Sequence, residues 1–273
     1  FKLFSFNLVS SGPYAVDIFF WLSGFLGVYL LLGATRKKNG KMQPFYLVYL
    51  HRFLRIVPLY MATMLFFWFL MSAVGSGPIF FQYWRNRASH CAATWWIHIL
   101  FLNNFVEINS NANNCMGWTW YLPNDFQFFL LIPLIVYLLF KNRTVGVLFC
   151  VVFQTLCFIA TFTIAWIQDM SPSYFEATDD YYTQYYHRPW ARIFPFFIGV
   201  AAALLLHSHK NDTPEESILK RMTDKIDTSR WVRFTLYGVG TFMFWFFIFV
   251  FYFFNNYDDQ IPKFVQIFFL TFG

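Results

Sequence analysis

Six stretches of this sequence, 14–33, 56–74, 118–140, 144–167, 190–206 and 234–254, are apolar, nearly free of charge and long enough to cross a bilayer. About 20 helical residues span the hydrocarbon core, where no water is present to satisfy a backbone N–H or C=O left open. Runs of this length constrain the fold more than any motif. They predict an all-α, polytopic transmembrane helix bundle with six full spans. A seventh run begins at Pro262 and reaches Gly273, too short to cross. Composition agrees: 58% of the 273 residues are hydrophobic and 12% charged, with a mean hydropathy of +0.45. Soluble domains carry about 25% charge, so a single soluble domain and a disordered chain are both excluded. The sequence opens at Phe1 with no signal-peptide pattern, and we read 1–273 as one membrane-embedded domain truncated at both ends.

Basic residues assign the two sides. Segments 36–55, 141–143 and 207–233 hold fourteen Lys and Arg, whereas 75–117, 168–189 and 255–262 together with Arg192 and Lys263 hold five. Positive charge is retained on the cytosolic side, which makes the first group cytosolic and the second extracytosolic. The net charge of +6 and the pI near 9.1 then describe topology, not nucleic-acid binding. Cys91 and Cys115 share the extracytosolic loop 75–117, on the oxidising side, and are expected to be bridged. Cys150 and Cys157 lie seven apart in one span and read as small core residues. None of the four has zinc-site spacing, so no metal is expected. Asn142 and Asn211 open Asn-x-Thr patterns in segments assigned to the cytosol, where glycan is not added.

Several segments depart from plain spanning helix. Met42 to Arg55 mixes aromatic and basic residues and predicts a membrane-surface helix leading into the second span. Trp95 to Val106 is apolar but only twelve residues long, which suits an interfacial helix inside the loop. Segment 207–233 reads as a charged cytosolic loop, and Asp169, Glu176, Asp179 and Asp180 as solvated extracytosolic surface.

Polar residues within the spans carry the functional signal, because an ion at bilayer depth costs about 2.5–3.5 kcal/mol and normally faces a cavity or a partner. Asp17 lies near the start of the first span, either as a ligand-facing carboxylate or as a helix-start acid stabilised by the dipole. Ser23 and Gly24 follow, where small residues favour close helix packing over direct chemistry. Arg52 and Arg55 are three apart on one helical face at the mouth of the second span. Two guanidiniums so placed either grip a phosphate-bearing ligand or snorkel to the headgroups. Asp125, with Gln127 close by in the third span, either orients a base or acceptor hydroxyl or pairs with a neighbouring helix. His187-Arg188-Pro189-Trp190-Ala191-Arg192 suits an interfacial anchor. His207 and Asp212 form an H-x-x-x-x-D pattern without a surrounding soluble fold, and His98 reads as a hydrogen-bonded interfacial histidine.

Three blocks then point to a family. Asp17-Ile18-Phe19-Phe20-Trp21-Leu22-Ser23-Gly24-Phe25-Leu26, then Arg52-Phe53-Leu54-Arg55-Ile56-Val57-Pro58-Leu59-Tyr60, then Trp120-x-Leu122-x-x-Asp125-x-Gln127-Phe128-Phe129 resemble, in order and spacing, the acyltransferase-3 family of membrane proteins. The Cys pair, the run Cys115 to Tyr121 and Arg188 to Ile193 are similar to its nose-resistant-to-fluoxetine branch. The resemblance implies about ten spans in a full-length member and transfer of an acyl group from acyl-CoA, the donor substrate, to a hydroxyl of a lipid or carbohydrate. It implies that Arg52 and Arg55 serve donor binding and catalysis, and that Asp125 stands where bacterial relatives have Glu. Asp17, Ser23, Trp120 and Gln127 join Arg52 and Arg55 as expected substrate-binding positions, and the family histidine falls upstream of Phe1. With Arg52 and Arg55 at the cytosolic face and Asp17 and Asp125 toward the other, donor and acceptor would enter one cavity from opposite sides. The alternative is a lipid or small-molecule handler, or a scaffold subunit with partners in a membrane complex, that keeps the fold without the chemistry. The cysteines favour the secretory pathway or plasma membrane, with a mitochondrial membrane as the other location.

Overall fold

The computed structural model describes residues 14–106, 115–171, 181–211, 218–257 and 261–272. Glu176, Asp179, Asp180 and Asp212, singled out above, lie outside them. The described chain is helical, with no strand: α1 (Tyr14–Lys37), α2 (Phe45–Leu65), α3 (Pro78–Ile99), α4 (Tyr121–Lys141), α5 (Arg143–Ile167), α6 (Pro189–Asn211), α7 (Ile218–Thr228), α8 (Arg230–Tyr257) and α9 (Lys263–Phe272). Shorter turns of helix connect them. Five of the helices are long and apolar enough to cross a membrane: α1, α2 with its π-helical extension to Leu70, α4 with its preceding turn from Gly117, α5 and α6. The sixth predicted run falls within α8, 28 residues long.

The core lies where α1, α4 and α6 meet. Phe20, Phe128, Ile132, Phe196 and Val200 are buried there together. α1 and α6 run parallel and touch backbone to backbone. A Cβ on Gly199 would lie 2.0 Å from the Trp21 carbonyl oxygen, and one on Gly24 would lie 2.3 Å from that of Phe196. Without a hydrophobic drive between helices in lipid, such close approach supplies the dispersion contact that holds them. Gly24 therefore packs, as its small size suggested. An ion pair between Asp17 and Arg192, at 3.1 Å, closes the same seam at its N-terminal end.

Three connections differ from the expected loops. The surface helix and the second span are one helix, so that Arg52 lies seven residues inside α2. Most of the loop 75–117 is α3, which Gly77 enters at φ 106° and Pro78 begins. Most of 207–233 is likewise helix: α6 runs on to Asn211, and α7 and α8 follow. Polar and basic residues do not by themselves stop a helix, and no glycine or proline interrupts 79–99 or 218–233. The segment 95–106 breaks at Phe101, which takes φ 54° and ends α3 before a single turn over Asn103–Val106. Stacking on Phe126 and Tyr60 holds this strained residue in place. The predicted Cys91–Cys115 disulfide is formed and ties α3 to the turn preceding α4.

Candidate active site

α2 and α4 run antiparallel in a register set by aromatic and polar contacts. Phe45 meets Tyr137 with ring centroids 6.2 Å apart, the Tyr49 hydroxyl donates to the Leu130 carbonyl at 2.9 Å, and Phe53 meets Phe126 at 6.3 Å. That register brings Arg52 opposite Asp125, and the two form an ion pair through Nη2 and Oδ2. The same Nη2 lies 3.4 Å from Ser23 Oγ on α1, and the guanidinium sits 4.2 Å from the centre of the Phe129 ring. Their side chains are only 13% and 8% exposed.

Two atoms of this pair are incomplete. Arg52 Nε and Asp125 Oδ1 are buried with no hydrogen-bond partner among the described residues. Leaving a buried donor or acceptor unmade costs about 1–3 kcal/mol, so such atoms in a native site point to a ligand or to chemistry. Both residues line a cleft of about 520 Å³ between α1, α2 and α4. Ser23, Arg55 and Tyr121 supply the rest of its polar surface, and Leu22, Leu26 and Leu30 an apolar wall. Along α1 the lining runs from Phe19 to Ala34, about 22 Å at 1.5 Å per residue. Arg55 is exposed on this wall and has no ion-pair partner among the described residues.

The cleft thus gathers Ser23, Arg52, Arg55 and Asp125, and leaves out Asp17, Trp120 and Gln127. Asp17 is buried against Arg192, which also donates from Nε to the Tyr186 carbonyl at 3.1 Å. Trp120 is buried beside Tyr186 and His187. Gln127 and Asn104 exchange amide hydrogen bonds at 3.0 and 3.1 Å, and Gln127 Nε2 donates to the Phe101 carbonyl. These three hold the scaffold behind the cleft. Arg52 and Asp125 do not stand at opposite faces as their places in the sequence suggested. Because α2 begins at Phe45, Arg52 is carried inward to the level of the acid.

The expected interfacial anchors are corrected too. Arg188 and Arg192 are buried, 7% and 5% exposed, and their guanidiniums end on protein groups instead of headgroups. Arg188 donates to the Thr183 carbonyl at 2.6 Å and to that of Asn104 at 3.1 Å. His98 is fully buried and hydrogen-bonded, as expected: its Nδ1 is 2.7 Å from the Tyr60 hydroxyl, which also meets Thr119 Oγ1 at 2.9 Å. Asn124, Asn104, Tyr60 and Tyr121 were not singled out beforehand. The signal for Tyr121 was its place four residues before Asp125, since i and i+4 share a helical face. Asn124 and Gln127, three apart, share the next one. Among the described residues no group of three or more His, Cys, Asp or Glu is arranged to hold a metal ion.

A helix bundle with five helices long and apolar enough to cross a membrane is an integral membrane protein, and its buried ion pair opens on a largely apolar cleft. The chain belongs to the acyltransferase 3 family, whose model, described as an acyltransferase domain, matches residues 1–273. It is 32% identical over 229 residues to the nose resistant to fluoxetine protein 6 of Caenorhabditis elegans, covering 76% of this chain and 27% of that protein. It is 30% identical over 145 residues to an uncharacterized protein of Haemophilus influenzae, covering 50% of this chain and 54% of that protein. The chain therefore spans about a quarter and about half of these relatives. No solved structure matches.

Proposed function

We propose that the cleft transfers an acyl group from a CoA thioester to a hydroxyl of a lipid or carbohydrate, with Arg52 and Asp125 at the reacting atoms. The observation that carries this reading is the pair of incomplete atoms on one buried ion pair. An acyl-transfer transition state needs a donor for the developing oxyanion and an acceptor for the attacking hydroxyl. Arg52 Nε offers the first and Asp125 Oδ1 the second. The hydroxyl oxygen bonds to the acyl carbon, the C–S bond breaks, and the hydroxyl proton passes through a base to the departing CoA thiolate. Asp125 orients the hydroxyl for that base, the role the resemblance gives to a histidine.

Ser23 and Phe129 fix the Arg52 guanidinium from two sides, one polar and one a ring face. Arg55, uncommitted on the cleft wall, takes a phosphate of the donor by charge-assisted bonds. The apolar stretch along α1 accommodates an acyl chain, since one leaflet of hydrocarbon is about 15 Å deep. The excess of Lys and Arg supports a cytosolic N-terminal end of α2, the side on which acyl-CoA is available. The Cys91–Cys115 bridge supports a secretory-pathway or plasma membrane.

The test is acyl-CoA-dependent labelling of a hydroxylated lipid or sugar by the natural protein in proteoliposomes. Arg55→Gln is expected to raise the KM for acyl-CoA about tenfold or more with kcat retained, the loss of one charge-assisted contact. An unchanged KM overturns the role of Arg55. Retained binding of acyl-CoA with no transfer by the unaltered protein favours the second class, a lipid handler on the same fold.

A further inference from the structure

α5 is the most apolar of the five helices that can cross a membrane, and little of it is buried. An amide, Gln154, stands at its middle, the twelfth of its 25 residues. From Arg143 to Gln154 is about 17 Å of helix, which places the amide near the centre of a hydrocarbon core about 30 Å thick. Its Oε1 is buried with no hydrogen-bond partner among the described residues. Lipid chains offer no donor at that depth, so the acceptor is satisfied only by another polar group brought to it.

Gln154 lines a groove of about 310 Å³ between α5 and α6. α5 contributes Val147, Val151 and Thr155, a row four residues apart on one face, and all three are exposed. Ile198 and Ala201, exposed on α6, form the facing wall. The Thr155 hydroxyl donates to the Val151 carbonyl at 2.8 Å, so its proton is already committed to the backbone. A row at i, i+4 is the ridge that enters the groove of a neighbouring helix. Val and Thr are stiff at χ1, and ordering them against such a neighbour costs little side-chain entropy.

We propose that this groove is an interface with a second copy of the chain, the two α5 helices crossing at Gln154. The amide itself selects that occupant. A primary amide is self-complementary: in a two-fold pair, Nε2 of each Gln154 donates to Oε1 of the other, and both acceptors are satisfied at once. Rotation about χ3, a broad torsion in Gln, turns Oε1 to the groove. A two-fold axis along the membrane normal brings the two amides to the same depth without adjustment, because both copies sit in the bilayer alike. A phospholipid keeps its polar groups at the headgroups, about 15 Å away, and supplies no donor there. The ridge of Val147, Val151 and Thr155 from each copy then packs against the groove of the other. None of these residues lines the Arg52–Asp125 cleft, so the interface stands whether or not the cleft is catalytic.

The test is the oligomeric state of the natural protein in liposomes, read by single-molecule photobleaching over a dilution series of protein in lipid. A monomer–dimer equilibrium is expected. Gln154→Leu should weaken association about thirtyfold, the scale of two interhelical amide hydrogen bonds, while melting in detergent no lower than the parent. Leu156→Ala, at an exposed position on the opposite face of α5, should leave association unchanged. Cys150 lines the groove one turn from Gln154 and gives an independent readout. A short thiol-to-thiol crosslinker should join two copies through it, and Cys150→Ser should abolish that product. A monomer at every density overturns the proposal, as does parental dimerisation by a folded Gln154→Leu variant. A Cys150 crosslink formed only within one chain shows that another segment of the natural protein fills the groove, and also overturns it.

Discussion

Arg52 and Asp125 are 73 positions apart, yet each is the partner that makes the other's burial affordable. Neutralising one alone leaves a buried charge, which costs about 3–5 kcal/mol, whereas replacing both with apolar residues of similar volume is close to neutral. Asp125→Leu is therefore expected to lower the melting temperature sharply in detergent, and Arg52→Met together with Asp125→Leu to restore most of it. A double variant no more stable than the single one contradicts the pairing. His187 gives a second residue-level prediction, at the turn before α6. Burial, reinforced by the Arg192 and Arg188 guanidiniums, pushes its pKa down from 6.5 to about 4. The unfolded chain then binds this proton first, so stability from His187 is present above pH 6.5 and is lost as pH falls toward 4. Thermal unfolding across that window should fall less steeply in His187→Gln than in the parent, and parallel curves contradict it. Asp125 was visible in the sequence as an expensive intramembrane charge, and Arg52 as one of two arginines on one helical face at the mouth of the second span. Their pairing was not, because it depends on where α2 begins, and the residues of 42–55 read equally well as a surface helix.

At the scale of the helix, the α1–α6 seam rests on absent side chains. Gly199→Ala puts a Cβ where the Trp21 carbonyl oxygen stands, so the two helices must separate, at about 1–3 kcal/mol or more for an overpacked interface. Gly33, on the same helix as Gly24, has open space around it. Gly33→Ala should be neutral or stabilising by up to about 1 kcal/mol, the helix-propensity difference. Melting temperatures of the two variants check this, and equal effects contradict the backbone contact. The elements themselves were legible to the extent that apolar length decides them. Spans 118–140, 144–167 and 190–206 match α4, α5 and α6 within a few residues at most ends. The polar connections were not, since α3 and α7 are helices whose sequence carries no long apolar run. The roles of Arg188 and Arg192 were hidden for a related reason. An arginine at a span end looks the same in sequence whether it reaches lipid headgroups or, as here, backbone carbonyls and Asp17.

In the molecule as a whole, α1, α4 and α6 run parallel in the core and an antiparallel α2 closes a cleft against α1 and α4. The parallel and antiparallel alternation of these helices agrees with the alternating sides read from Lys and Arg. That sidedness predicts no glycan on Asn142 or Asn211 in a secretory-pathway membrane, and a glycosidase-sensitive shift lost in Asn142→Gln or Asn211→Gln contradicts it. The central claim is that the Arg52–Asp125 pair performs acyl transfer and does not merely brace the bundle. The double variant Arg52→Met, Asp125→Leu separates the two roles, because it keeps the packing and removes the chemistry. The most direct measurement is acyl transfer from acyl-CoA by the natural protein in proteoliposomes, the parent beside this variant, with melting temperature recorded for both. The account predicts a variant that melts with the parent and transfers at least about a hundredfold more slowly, the scale of losing one oxyanion donor. A folded double variant that transfers at the parental rate contradicts it.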